Sequence, residues 1–220
     1  MRADSRETVE ELLNVAERLF AKHGVEHVAL TRIVATSGQK NRSALHYHFG
    51  DREGVLAAVL DRRLERVNVL RHRMLDDAAA AEPRLAEAMN AFVAPLCSVV
   101  LNEPWGPDYV SILAQVGFHP RLLGDRTLDD ANITALRRCR RLIELSLPDV
   151  PRTVLSRRFR WFHDGVVVAL ARWTRKTPRS LWTRAAMQNL IEELVEYGVA
   201  GLSARRESLA LPPLPSAASR

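Results

Sequence analysis

The residues best able to do chemistry lie between Arg42 and Glu53. Arg42, Ser43, His46 and Tyr47 fall at i, i+1, i+4 and i+5, the spacing of one helix face. They carry a guanidinium, a hydroxyl, an imidazole and a phenol. Each can donate a hydrogen bond to a base edge or a phosphate, and none is acidic. Leu45 and Phe49, at i and i+4, share the other face and supply packing. Between His27 and Gly50 stand Arg32, Lys40 and Arg42 with no Asp or Glu, a window suited to a polyanion. The unit as a whole is not basic, because Glu7, Glu10, Glu11 and Glu17 precede it. Metal chemistry does not fit. His46 and His48, two apart, point away from each other on a helix, and His48 reads as a packed or capping histidine.

Catalysis finds no footing elsewhere. There is no nucleophile motif, no glycine-rich phosphate loop and no metal-ligand spacing, so neither an enzyme nor a cofactor is expected. His163 and Asp164 are the one acid/base hint, and adjacent residues on a helix diverge. Cys97 and Cys139 form no CxxC pair, which points to a reducing cytosol. The start MRADSRETVE lacks the apolar region of a signal peptide, and the run GVVVALA from Gly165 is too short to span a bilayer. A cytoplasmic protein with no membrane partner is therefore expected. Lys+Arg 32 against Asp+Glu 26 gives a net charge of +6, and the pI is near 10.0, which invites nucleic acid without proving it. A length of 220 residues allows one large domain or two small ones.

The elements that must hold the reading face are helical. Val9, Leu12, Leu13, Ala16, Leu19 and Phe20 form one apolar stripe. Asp4 with Glu7 suggests a capping box at its start, and Gly24 a stop. A second helix is expected over Thr31–Thr36 with Thr31 as N-cap, then a turn at Gly38. A third is expected over Asn41–Phe49, ended by Gly50, and Asp51 can cap a long fourth helix to about Asp77. Breaks follow at the alanine run and Pro83. Further helices fit 84–101, 108–117, 128–147, 151–176 and 178–203. Thr127 with Asp130 is a capping pattern, and Thr177-Pro178 places a cap before an N1 proline. The fold class is all-α, about nine helices. Residues 1–50 form a helix-turn-helix unit, 51–204 a larger helical body, and 205–220 a disordered tail.

The stretch from the first helix through TRIVATSGQKNRSALHYHFGDREGVL resembles the TetR family of bacterial transcriptional regulators. The hallmark is a leucine, two aromatic or polar residues, His-Phe, a short turn, then a basic residue and Glu. Here it reads Leu45-His46-Tyr47-His48-Phe49-Gly50-Asp51-Arg52-Glu53. The resemblance implies an all-helical homodimer whose N-terminal helices bind double-stranded operator DNA, whose body binds a small effector, and whose last two long helices pair. It departs from the family at His46, where a phosphate-contacting tyrosine is usual, and in the turn Gly38-Gln39-Lys40-Asn41, which is one residue longer. The expected DNA contacts are Thr31, Lys40, Asn41, Arg42, Ser43, His46, Tyr47 and Arg52, with Thr31 and Arg52 on phosphates at helix N-termini. A repressor released by its effector is the leading reading. An arginine-rich RNA-binding or adaptor protein is the alternative.

The body is less legible. Phe92, Leu96, Trp105, Tyr109, Phe162 and His163 are candidates for an effector pocket that prefers an apolar or aromatic compound. Val166, Leu170 and Trp173 on the eighth helix, with Leu190, Leu194 and Tyr197 on the ninth, suggest a four-helix interface between two copies, Gly198 and Gly201 allowing close approach. A second basic cluster, Arg137 to Arg141 and Arg152 to Arg160, reads as a solvated face rather than a second nucleic-acid surface.

Overall fold

The computed structural model describes residues 2–39, 44–79 and 84–204. Among them are nine α-helices and no strand, as the helical periodicity predicts. They are α1 (Arg2–His23), α2 (Leu30–Thr36), α3 (Ala44–Phe49), α4 (Arg52–Ala79), α5 (Leu85–Asn102), α6 (Gly106–Phe118), α7 (Asp130–Ser146), α8 (Arg152–Lys176) and α9 (Arg184–Ser203). The tail 205–220 and the break around Pro83 lie outside the described residues.

The apolar stripe of α1 is buried as its period requires, from Leu12 to Phe20. It packs against α2, α3, α4 and α6. α5 runs through the body and meets α4, α7 and α9, while α6 lies on α8. The buried side chains join into one cluster that reaches from Phe20 and Leu45 to Leu170 and Leu202. By length and composition α5 could cross a membrane, being longer than the run at Gly165 and having a mean hydropathy of 1.4 over its 18 residues. Half of it is buried against the other helices, so core packing accounts for its composition.

Capping explains the boundaries and corrects several expectations. Gly24 and Gly50 adopt φ of +88° and +77°, left-handed turns that end α1 and α3. Asp51 caps α4, its Oδ1 accepting from Gly54 N at 2.7 Å. Asp4 is no cap, because α1 already begins at Arg2. Nor is Thr31: the N-cap of α2 is Ala29, with no side-chain bond. Asp129, not Thr127, caps α7 by accepting from Ala131 N. Thr183, not Thr177, caps α9 by accepting from Ala186 N at 3.1 Å. Pro178 instead begins a 3-10 turn, Arg179–Leu181, that seats Trp182 on Trp173 with ring centroids 4.9 Å apart.

α6 starts directly on the backbone of α5. A Cβ on Gly106 would lie 2.1 Å from the Val99 carbonyl oxygen and 2.7 Å from Val100 Cα. Backbone cannot swing aside as a side-chain tip can. Gly106→Ala is therefore expected to lower stability by about 1–3 kcal/mol, read from urea unfolding. An unchanged midpoint would show that α6 does not start on α5 in this way.

Candidate nucleic-acid interface and its coupling to the body

One face of α3 is anchored and the other is free. Leu45 is buried, Phe49 packs on the core, and His46, Tyr47 and His48 are exposed. Tyr47 is 83% exposed, an unusual state for so large a ring. His48 is not packed inside, contrary to the expectation from its sequence position. Its ring stands edge-on to Tyr47, centroids 5.2 Å apart. Lys40, Asn41, Arg42 and Ser43 lie outside the described residues.

Thr31 is exposed on α2, beside Arg32. Arg32 Nη2 donates to His23 Nε2 at 3.1 Å. Partial burial, with the charges of Arg32 and Lys22, holds His23 below the usual imidazole range. As the guanidinium can only donate, the bond requires Nε2 of the ring as acceptor. Arg52 is engaged within the chain. Its Nη1 donates to the Glu26 carbonyl at 2.8 Å, tying the start of α4 to the 3-10 turn Val25–His27. Beside it, Arg126 reaches Asp51 at 3.2 Å. The hydrogen bond from Gly54 N holds the Asp51 carboxyl below its ordinary range, with Arg126 adding to it.

Among the described residues two further links join this unit to the body, and local spacing revealed neither. Gln115 of α6 grips the turn after α1 with both ends of its amide. Its Oε1 accepts from Val25 N at 2.9 Å and its Nε2 donates to the Phe20 carbonyl at 3.2 Å. Glu17 of α1 is 2% exposed and takes two arginines of α4. Arg63 Nη2 lies at 2.6 Å and Arg62 Nη2 at 3.2 Å. Arg62 also reaches Glu10, and Arg63 stacks over the Trp105 ring at 4.4 Å. The signal would have been pairing between charges some 45 residues apart.

The effector candidates divide. Phe92, Phe162 and His163 come together, with Phe92 centroids 5.8 and 5.7 Å from the other two. Trp105 and Tyr109 form a separate edge-on pair. Phe92, Leu96, Tyr109 and Phe162 are buried core side chains. His163 borders a shallow concavity of about 90 Å³ between α6 and α8, with Gly117 and Val168 on its walls. A polar seam that no sequence pattern singles out crosses the core nearby. Arg71, 3% exposed, donates from Nη1 to Asn68 Oδ1 at 2.5 Å and from Nη2 to the Phe92 carbonyl at 3.4 Å. Asn68 in turn donates to the Asn132 carbonyl at 2.6 Å.

The expected interface needs correction at three positions. Val166 and Leu170 are 1% and 0% exposed within the single chain, so they are core. Gly198 is filled from inside, since a Cβ there would lie 2.3 Å from Met89 Cε. Leu190 and Leu194 are half-buried, and Trp173 is occupied by Trp182. On α8 the free apolar groups lie one step round the helix, at Trp161 and Gly165, whereas on α9 Tyr197 and Gly201, both within the expected set, are exposed.

The second basic cluster is partly neutralised within the chain. Arg137 pairs with Asp130, Arg138 with Asp76 and Arg140 with Glu144. Arg158 donates to the Leu202 and Ala204 carbonyls at the end of α9. These contacts support the surface reading of that cluster.

Residues 12–59 match the model for bacterial regulatory proteins of the tetR family, and residues 90–201 that for the tetracyclin repressor-like C-terminal domain. The chain is 28% identical over 171 residues to the HTH-type transcriptional repressor AcnR of Corynebacterium diphtheriae, covering 74% of this chain and 80% of that protein. AcnR of Corynebacterium glutamicum is 40% identical over 50 residues, 23% of this chain and 26% of that one. The fold is similar to that of native NalD from Pseudomonas aeruginosa, a secondary repressor of the MexAB-OprM multidrug efflux pump. That likeness has a TM-score of 0.61 at 21% identity and covers 90% of this chain and 97% of NalD.

Proposed function

The chain belongs to the TetR family of bacterial regulatory proteins, and from that premise we propose a homodimeric repressor that leaves a palindromic operator when a small effector binds. A ligand-responsive, DNA-binding transcriptional repressor is the activity its family carries. The observation that carries the finer reading is the asymmetry of α3. Leu45 is buried while His46 and Tyr47 stand in solvent, in a window of chain free of acids. A short helix held by one face and bare on the other suits insertion into a major groove.

Residues 1–50 then read DNA, with Lys40, Asn41, Arg42, Ser43, His46 and Tyr47 in or beside the groove. Thr31 and Arg52 approach phosphates, Arg52 while it holds Glu26. Residues 51–204 bind the effector and the second copy, in the cytoplasm. Gel shift against duplex DNA from the region upstream of its own coding sequence tests the reading. Binding to a palindromic duplex should weaken steeply with salt, log K falling by about 0.9 per log unit of salt for each phosphate neutralised. Equal competition by unrelated RNA would overturn it in favour of the arginine-rich adaptor.

The dimer is assigned to the exposed stripe of α8 and α9. Trp161, Gly165 and Val168 follow helical spacing on one, and Leu190, Leu194, Tyr197 and Gly201 on the other. A Cβ at Gly165 or Gly201 meets nothing within 4 Å, so both leave room for a facing helix. Tyr197→Asp and Gly165→Glu should each yield a monomer by light scattering, with operator affinity down at least about tenfold while melting of the single chain is kept. A dimer of unchanged stability would place the interface elsewhere.

A further inference from the structure

Arg71 is a buried cation without a counter-charge. It sits on α4 against α5 and α7, and among the described residues no carboxylate stands within ion-pair distance of it. Its Nε makes no hydrogen bond to any described protein group. Among the described residues its Nη2 reaches only the Phe92 carbonyl, at a long 3.4 Å. Nε and Nη2 form one edge of the guanidinium, the edge that receives a carboxylate through two parallel bonds. The neighbours favouring its charge are the Cys139 thiol and the Tyr109 phenol. Burial pushes both upward, Cys139 to about 11, so both are neutral at pH 7.

A purely structural role is the bland explanation. Pro95 lies inside α5, and a proline deprives the carbonyl four residues earlier, that of Ala91, of its donor. A polar side chain near that point is useful. A neutral amide would serve, however, and a strut does not need a full positive charge set among Phe92, Tyr109 and Cys139. Burial without a partner ordinarily removes such a charge, and arginine is the residue least able to give it up.

We propose that the effector is a small carboxylate with an apolar body, and that Arg71 receives it on its Nε–Nη2 edge with Asn68 fixing the guanidinium from the other side. This rests on the repressor reading above and names the ligand class of its body. One carboxylate matches one guanidinium; a doubly charged phosphate in the same interior would leave a charge unmatched. The Phe92 ring, 5.9 Å from the guanidinium, and Tyr109 suit an aliphatic or aromatic body. Reaching Arg71 requires α4 to part from α5 and α7. Because α4 starts beside α3, that movement shifts the reading helix, and the effect is reciprocal between carboxylate and DNA.

Thermal unfolding of the full chain with sodium benzoate and sodium hexanoate, at matched ionic strength, tests this against benzamide and hexanamide. At about 100 times its Kd a carboxylate should raise Tm by roughly 5–10 °C, and the amides should not. Arg71→Met should stay folded and lose the shift; Arg71→Lys keeps the charge without the fork and should keep only a fraction of it. No Arg71-dependent shift with either carboxylate overturns the inference. So does loss of the fold in both variants, which would make Arg71 a structural strut. The two readings fail separately. Operator binding without a carboxylate effect sinks only this inference, whereas an Arg71-dependent carboxylate effect in a protein that binds no duplex sinks only the repressor.

Discussion

Glu17→Leu is expected to destabilise the protein by about 3–5 kcal/mol, the largest effect of any single polar substitution in the DNA-binding unit. Glu17 is buried, and the side chains of Arg62 and Arg63 are only 14% and 11% exposed. Removing the carboxylate leaves two guanidinium groups facing each other with little solvent between them and the core. Arg62 is already short of partners, since its Nε is buried without a hydrogen bond to described groups. Glu17→Gln keeps an acceptor oxygen but not the charge, and should cost less. The check is urea unfolding of both variants with the slope compared. A loss under about 1 kcal/mol for Glu17→Leu would mean that solvent reaches the arginines and that α1 is held to α4 by apolar contacts alone.

Gln115→Leu is expected to damage function more than fold. The change leaves Val25 N unpaired and takes from the Phe20 carbonyl one of its two donors, Gly24 N remaining at 3.0 Å, at a cost of about 1–2 kcal/mol. Those two groups bracket Gly24, the turn that sets the direction of the chain into α2. Releasing it lets α2 and α3 shift relative to the body. Operator affinity should fall at least about tenfold, because two reading helices can enter successive grooves only at about 34–36 Å separation. Gln115→Glu keeps the acceptor for Val25 but sets a carboxylate against the Phe20 carbonyl, and should lie between wild type and Gln115→Leu in affinity. Wild-type affinity in Gln115→Leu, with an unaltered effector response, would remove α6 from the coupling path.

What the sequence made legible was local. Asp51 as a cap, Gly24 and Gly50 as stops, the stripe of α1 and the buried Leu45 all follow from spacings of four residues or fewer. Where tertiary packing competes, spacing misleads. Thr177-Pro178 has the form of a helix start, yet the stacking of Trp182 on Trp173, and the bond from Trp182 Nε1 to the Thr177 carbonyl at 3.0 Å, draw that segment into a turn. Val166 and Leu170 show a related limit. Hydrophobic period shows that a face is covered, not whether its own chain or a second copy covers it. The coupling residues were out of reach for another reason. Glu17, Gln115 and Arg71 are polar, and their partners lie far along the chain or are backbone atoms, so no short pattern marks them.

If the bare face of α3, held at a fixed separation by the dimer, reads DNA, then footprinting of wild type and Tyr47→Ala on the upstream duplex tests it most directly, with melting measured in parallel. Wild type should protect two half-sites centred about one helical turn apart. Tyr47→Ala should lose that protection with its melting temperature unchanged, because the ring is 83% exposed and supports no core. An identical footprint for Tyr47→Ala, or protection of a single unpaired site by wild type, would contradict a DNA-reading role for this face.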